Sequence, residues 1–375
     1  MSQKTIILKP SHRCNLNCAY CYDRFNRAKD NTILPANKLI EALQKCYDEF
    51  GDFTAIWHGG EPTVLGIDYW RQVLEAFKEK KINWSVQTNN TLINEEWAKL
   101  FQEYGCSVGT SWDGITNTER THNSDSFFNF LNIMKKYNIN HSVLYTVTPE
   151  NYKDILNAAI FGIQTNTTIE YNFVFDYYRK ITDQEYNLIT LSLLQVFDLY
   201  CSLEQCTIAR PFNYYMTWLD GRPAELCERK YCQGDWISID PHGNIRPCGK
   251  PWSEDMSYGN IFDPNFSFDN IKTNKKINNF FEEVFDTQWE HCKDCRWLLY
   301  CNNGCPYSNL NKQTGKIEWN RDWCMFNKAL FDGMDEIIKT RYLSGTLINS
   351  NLSDSIESSP KTEVALWRNS KSHTI

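Results

Sequence analysis

Six short runs rich in β-branched and aromatic residues, each followed by a stretch of helical period, constrain this chain more than anything else in its sequence. The runs are 5–9, 53–57, 84–88, 107–112, 141–147 and 168–175. Between them, 35–50 sets Leu39, Leu43, Cys46, Tyr47 and Phe50 on one face, with Pro35 suited to the first turn. The stretch 68–80 does the same with Trp70, Val73, Leu74 and Phe77. An Asn cap and two Glu open 94–104, whose stripe is Trp97, Leu100, Phe101 and Tyr104. Helical stretches 124–137, 150–160 and 182–203 complete the set. Strict β/α alternation predicts an α/β fold with a parallel sheet and helices outside. A closed barrel takes eight units and about 250 residues. Here the alternation stops near residue 205, so the expectation is a partial (βα)6 TIM-like barrel, with an open doubly wound sheet as the alternative.

After residue 205 Cys, Gly, Pro and Trp recur at irregular spacing, which predicts a loop-rich domain over 207–343 closed by a helix at 321–340. The polar stretch 344–375 reads as a mobile tail. The net charge of -7 argues against nucleic acid or an anionic membrane as partner. No apolar run approaches the roughly 20 residues of a membrane span. The first apolar run, Ile6-Ile7-Leu8, is too short for a signal peptide, so a cytoplasmic protein is expected. Disulfides are rare in that compartment, so the 15 cysteines point to metal.

The first run leads into Cys14-x3-Cys18-x2-Cys21. Three thiolates in one loop hold a 4Fe–4S cluster with one iron open to a ligand. A zinc loop completed by His12 or Asp23 is the structural alternative. With Tyr20 before the third cysteine, the loop resembles the signature of the radical S-adenosylmethionine (radical SAM) superfamily. That resemblance implies the partial barrel, reductive cleavage of SAM, and hydrogen abstraction by a 5′-deoxyadenosyl radical. Gly59-Gly60-Glu61-Pro62, after the second run, is similar to the family motif that binds the SAM amino group. Gln87 and Asn89, Ser111 and Val147 end the third, fourth and fifth runs, where the family contacts SAM ribose, carboxylate and adenine. Arg120 is a candidate partner for the SAM carboxylate.

A second set, Cys227, Cys232, Cys248, Cys292, Cys295, Cys301, Cys305 and Cys324, is similar to the SPASM extension of radical SAM peptide-modifying enzymes. The resemblance implies two auxiliary 4Fe–4S clusters, one on Cys227, Cys232, Cys248 and Cys305, the other on Cys292, Cys295, Cys301 and Cys324. A pair of zinc ribbons is the alternative. Cys46, Cys106, Cys201 and Cys206 read as buried apolar thiols.

The function so implied is maturation of a ribosomally made precursor peptide, by a C–C cyclophane-type, C–O or thioether crosslink, with electrons from a flavodoxin- or ferredoxin-type reductant. The chain starts at strand one, so leader recognition is expected of the barrel rim, the SPASM surface or a separate leader-binding protein. The competing enzyme reading is anaerobic sulfatase maturation, which oxidises Ser or Cys to formylglycine. Enzymes of that kind place an Asp base directly after the third SPASM cysteine. Gly249 follows Cys248 here, which tips the expectation toward crosslinking. Asp113, Asp235, Asp240, His242 and Tyr307 are the remaining candidate bases. A non-catalytic iron–sulfur or zinc protein is the reading of another class; the Gly59–Pro62 motif speaks against it.

Overall fold

In the computed structural model, which describes residues 4–114, 124–174, 179–204, 209–219, 232–301, 304–311 and 314–347, the βα alternation is present. Strands β1 (Lys4–Leu8), β2 (Phe53–Trp57), β3 (Ile82–Thr88), β4 (Ser107–Trp112), β5 (His141–Val147) and β6 (Ile169–Phe173) fall on the six expected runs. They alternate with α1 (Arg24–Lys29), α2 (Ala36–Phe50), α3 (Ile67–Ala76), α4 (Glu95–Glu103), α5 (Ser124–Lys136), α6 (Ile155–Thr165) and α7 (Asp183–Cys201). Helix α1 was not expected, and none of its residues is buried, so it carries no apolar period to read. Then come α8 (Phe212–Leu219), β7 (Trp236–Ile239), β8 (Asn244–Arg246), β9 (Gly259–Asn260), α9 (Asn270–Thr273), α10 (Lys275–Cys292), α11 (Leu298–Cys301) and α12 (Arg321–Ser344).

Two compact units divide the chain: Met1–Leu144 with Cys232–Glu282, and Tyr145–Tyr231 with Glu283–Ile375. The division by motif into 1–206, 207–343 and 344–375 follows different lines and stays a proposal. Residues 348–375, most of the expected tail, lie outside the described residues.

In the first unit the strand order is β4-β3-β2-β1-β7-β8-β9. Strands β1 to β4 pair in parallel, and β7 adds to the free side of β1, also in parallel, with Ile6 opposite Ala55 on one side and Ile237 on the other. Strands β8 and β9 are antiparallel. The sheet is therefore mixed, where a purely parallel one was expected. The reason is a tight hairpin: Gly243 sits at φ +84, and Asp240 takes the backbone N–H groups of His242 and Asn244 at 3.0 and 2.9 Å.

The core of this unit is aromatic. Trp57 of β2 stacks on Trp70 of α3 with centroids 4.0 Å apart, and Trp70 meets Trp97 of α4 edge-on at 5.4 Å. Trp70 also donates its indole N–H to the Pro62 carbonyl at 3.0 Å. The buried stack thus fixes the loop that leaves β2.

In the second unit Val174 donates to the Val147 carbonyl at 3.0 Å, setting β6 beside the end of β5. Helices α7 and α12 pack together. Arg341 of α12 holds Asp198 of α7 through two bonds of 2.6 and 2.9 Å. Helix α7 starts with a capping box between Thr182 and Glu185. Thr182→Ala is expected to lower stability by about 1 kcal/mol, read as a fall in the denaturation midpoint. The region after residue 207 is more helical than expected. Its longest surprise, α10, spans 18 residues with Ile277, Phe281, Val284 and Gln288 buried along one side. Gln288 breaks the apolar period that would have announced it.

Candidate active site

Side chains at the C-terminal ends of β1 to β4 build the first site, as a parallel α/β sheet requires. The cysteine loop after β1 is tied by its own backbone: Cys21 N–H bonds the Cys18 carbonyl at 3.2 Å, and Leu16 N–H donates to the Cys14 sulfur at 3.4 Å. Arg27 of α1 clamps it from outside, on the Leu16 carbonyl and the Asn17 side chain, both at 2.5 Å. Burial pushes the Cys21 thiol up, and nearby acidic groups, Cys14 among them, add to this. Iron would reverse that penalty, since a metal centre takes the thiolate.

His12 and Asp23, the zinc alternative's fourth ligands, are committed to each other at 2.7 Å. Lys9 joins them, its ammonium 3.9 Å from Asp23 and 5.0 Å from the Tyr22 ring. Burial lowers the Lys9 pKa; Asp23, then Cys248 and Cys21, act the other way. Burial also raises Asp23, but His12 and Lys9 outweigh it and hold its carboxyl below the usual range. Lys9 escaped the sequence reading. A lysine ending a buried apolar strand was the signal, because such a charge needs a partner.

Gly59 and Gly60 have a packing role within the chain that the motif alone did not show. A Cβ on Gly60 would stand 2.0 Å from the Arg13 carbonyl oxygen and 2.5 Å from that of His12. One on Gly59 (φ +112) would stand 2.8 Å from that of Ser11. The glycines let the β2 loop lie against the cysteine loop, where Glu61 N–H bonds the Arg13 carbonyl at 2.8 Å. Pro62 starts a short 3-10 turn. Glu61 itself is a brace. Its Oε1 accepts from Thr63 N–H (3.1 Å), the Thr63 hydroxyl (2.6 Å) and the Thr88 hydroxyl (2.8 Å); its Oε2 accepts from Asn89 N–H (2.6 Å). Burial raises its pKa, and these bonds pull it back.

The structure brings several other candidates together at this edge. Asn89 reaches Asn15 at 2.9 Å and the Cys14 sulfur at 3.8 Å. Gln87 donates to the Ser111 hydroxyl at 3.3 Å. Tyr20 donates its hydroxyl to Asp113, buried at the end of β4. His58, which the sequence reading passed over, accepts Gly59 N–H on Nδ1 at 2.8 Å, with the Tyr22 hydroxyl at 3.0 Å. Burial, then Lys9, bring its pKa down to about 4, so it is neutral at pH 7.

Other candidates lie elsewhere. Asp235 sits at the opposite end of the strands, 3.9 Å from Lys4 and with its carbonyl on Thr5 N–H, so it is no base for this site. Asp240 is a turn residue bound to Arg246 at 3.1 Å, and His242 pairs with Asp30 at 3.0 Å. Val147 and Tyr307 are buried in the second unit. Arg120, Cys206 and Cys227 lie outside the described residues.

Cys292, Cys295, Cys301 and Cys324 all line one cavity of the second unit, walled by Trp297 and Trp323. Burial lifts Cys292 to about 11, and Cys324 and Cys295 add to it. Among the described residues no three His, Cys, Asp or Glu close on a single ion. Four thiols around a cavity suit a cube of four irons and four sulfides, which is larger than an ion and takes one thiolate at each corner. Cys305 follows at the start of the 3-10 turn Pro306–Asn309. Cys232 and Cys248 belong to the first unit, and Cys46, Cys106 and Cys201 are buried thiols.

Comparison with known proteins gives this geometry a setting. The family model for the radical SAM superfamily matches residues 8–161, and that for the SPASM iron-sulfur cluster-binding domain matches 227–296. A cysteine-type anaerobic sulfatase-maturating enzyme of Clostridium novyi (strain NT) is 26% identical, over 92% of this chain and 99% of its own. A solved structure described as native anSMEcpe with bound AdoMet and Cp18Cys peptide has a TM-score of 0.77 at 23% identity, covering 91% of this chain and 98% of that one. Streptococcus suis SuiB bound to precursor peptide SuiA has a TM-score of 0.59 at 18% identity, covering 85% and 75%. A radical SAM domain binds SAM and a 4Fe–4S cluster, and a SPASM domain binds auxiliary iron–sulfur clusters. No helix among the described residues is long and apolar enough to cross a membrane. The three-cysteine loop and the braced turn after β2 thus lie within a radical SAM domain, and Cys292 and Cys295 of the thiol-lined cavity lie within a SPASM domain.

Proposed function

We propose that this enzyme matures a protein or peptide substrate by oxidising one cysteine or serine side chain to formylglycine. The observation that carries the reading is the near end-to-end match to the cysteine-type sulfatase-maturating enzyme, over 92% of this chain and 99% of the relative. The crosslink favoured by the sequence alone finds no support in the names of these relatives. It rested on Gly249, and Gly249 is a packing position: a Cβ there would stand 2.9 Å from Ile7 Cδ1. An acid placed there would have to displace Ile7, so the proton acceptor is a group other than the residue after Cys248.

Bound SAM on its cluster supplies the 5′-deoxyadenosyl radical, and the auxiliary clusters offer a place for one electron. The substrate carbon loses a hydrogen atom, then one electron and the side-chain proton, which leaves a carbon–oxygen or carbon–sulfur double bond. With cysteine, water then replaces sulfur to give the aldehyde. In this reading Cys14, Cys18 and Cys21 hold the SAM cluster, and Gly60, Glu61 and Asn89 keep its loop in register. Gln87 and Ser111 line the SAM side, Tyr20 and Asp113 close the β4 end, and Arg120 and Val147 complete the SAM contacts. Cys227, Cys232, Cys248 and Cys305, and Cys292, Cys295, Cys301 and Cys324, hold the auxiliary clusters. A flavodoxin- or ferredoxin-type protein is the proposed reductant, and the cytoplasm the proposed compartment.

The test is anaerobic incubation of the reconstituted enzyme with SAM, dithionite and a cysteine-bearing peptide from a sulfatase active site. The expected product carries an aldehyde that reacts with a hydrazine. A product that loses two hydrogens without hydrazine reactivity would restore the crosslinking reading.

A further inference from the structure

The sulfur of Cys248 receives a hydrogen bond from an indole. Trp252 Nε1 lies 3.3 Å from Cys248 Sγ, across a short turn closed by Trp252 N–H on the Lys250 carbonyl at 2.9 Å. The indole is held in place from behind, edge-on to Phe280 at 5.5 Å and 89°, against the core of the first unit. The cysteine is held as firmly. The Ser238 hydroxyl donates to the Cys248 carbonyl at 2.9 Å, and Ser238 pairs with Ile7 of β1.

Hydrogen bonds to ligating sulfurs withdraw charge from an iron–sulfur centre and move its reduction potential upward. An indole N–H is well suited to this, because it donates without ever accepting. Phe280 and the tight turn fix its direction.

We propose that Trp252 is a positioning residue for electron transfer: its N–H, donated to the Cys248 sulfur, raises the potential of the auxiliary cluster that Cys248 ligates and directs the substrate's electron there. The proposal rests on the reading of Cys248 as a cluster ligand and of the reaction as a one-electron oxidation following hydrogen abstraction.

The test is an EPR-monitored redox titration of the full chain, reconstituted anaerobically, without any peptide. Trp252→Phe keeps the ring and removes the donor. The expected result is a more negative midpoint for one auxiliary cluster, with the SAM-binding cluster unmoved. Unchanged midpoints at full iron content overturn the proposal. A second measurement serves if the variant loads iron poorly: wild-type protein labelled with 15N at the indole nitrogen, examined by hyperfine spectroscopy. A nitrogen coupling to a reduced auxiliary cluster supports the bond, and no such coupling overturns it. Neither measurement needs substrate. A peptide left unconverted by the wild type therefore counts against the proposed reaction, while unchanged potentials count against Trp252.

Discussion

Gly60→Ala is expected to strip the enzyme of its SAM-binding cluster, a loss of about four irons per chain, and of SAM cleavage with it. The new methyl group would sit 2.0 Å from the Arg13 carbonyl oxygen and 2.5 Å from that of His12. Those atoms are backbone, so no rotamer change relieves the overlap, and the residue after Arg13 is the cluster cysteine Cys14. The same Arg13 carbonyl accepts Glu61 N–H at 2.8 Å, so pushing it away also unfastens the loop after β2. The auxiliary sites, with thiols at Cys292, Cys295, Cys301 and Cys324, do not depend on this contact. Iron and sulfide analysis with a 5′-deoxyadenosine assay decides the matter. Full iron content and SAM cleavage within a few-fold of wild type would refute the account of Gly60.

Glu61→Ala is the second large effect. The buried carboxylate is the acceptor for two backbone N–H groups, of Thr63 and Asn89, and for two hydroxyls. The hydroxyls rotate to other partners; the N–H groups do not. Leaving two buried N–H groups unsatisfied costs about 2–6 kcal/mol, at about 1–3 each. Glu61→Gln is expected to fall between, since its amide N–H₂ meets the Asn89 N–H and one bond is lost instead of all four. Denaturant titration of the reconstituted proteins measures both. A change in the alanine variant below about 1 kcal/mol would mean that the brace is not needed.

Much of the architecture was readable from residue order. The six strands announced themselves because each is a short run of apolar and β-branched residues bounded by turn formers, and Asn94 and Thr182 cap the helices that follow them. The cysteine loop and the Gly-Gly-Glu-Pro turn were equally plain, because chemistry restricts the residue types there. What escaped the sequence has physical causes. Strand β7 is four residues long, too short to show a period, yet it joins β1 to β8 in the first sheet. The packing role of the Gly59–Gly60 pair was not legible because a glycine signals close approach without saying to what. Here the neighbour is the cysteine loop itself. Asp235 looked like a candidate base beside the cysteines, but distance along the chain does not tell which end of a strand a residue occupies. The Lys9–Asp23–His12 group and the Trp252 indole bond join residues through space, and no spacing rule reports them.

The placement of β1 between β2 and β7 has a consequence for synthesis on the ribosome. Thr5 and Lys9 find their backbone partners on one side at Asp235 and Ile239, some 230 residues downstream. At about 5–20 residues per second, that edge stays bare for on the order of 10–50 s, during which β2, β3 and β4 are made. An unpaired, apolar strand edge is an invitation to the wrong neighbour. The nascent protein is therefore most exposed to aggregation in the interval before Trp236–Ile239 emerges, and slowing translation just upstream of that strand is expected to lower the soluble yield more than slowing it just after.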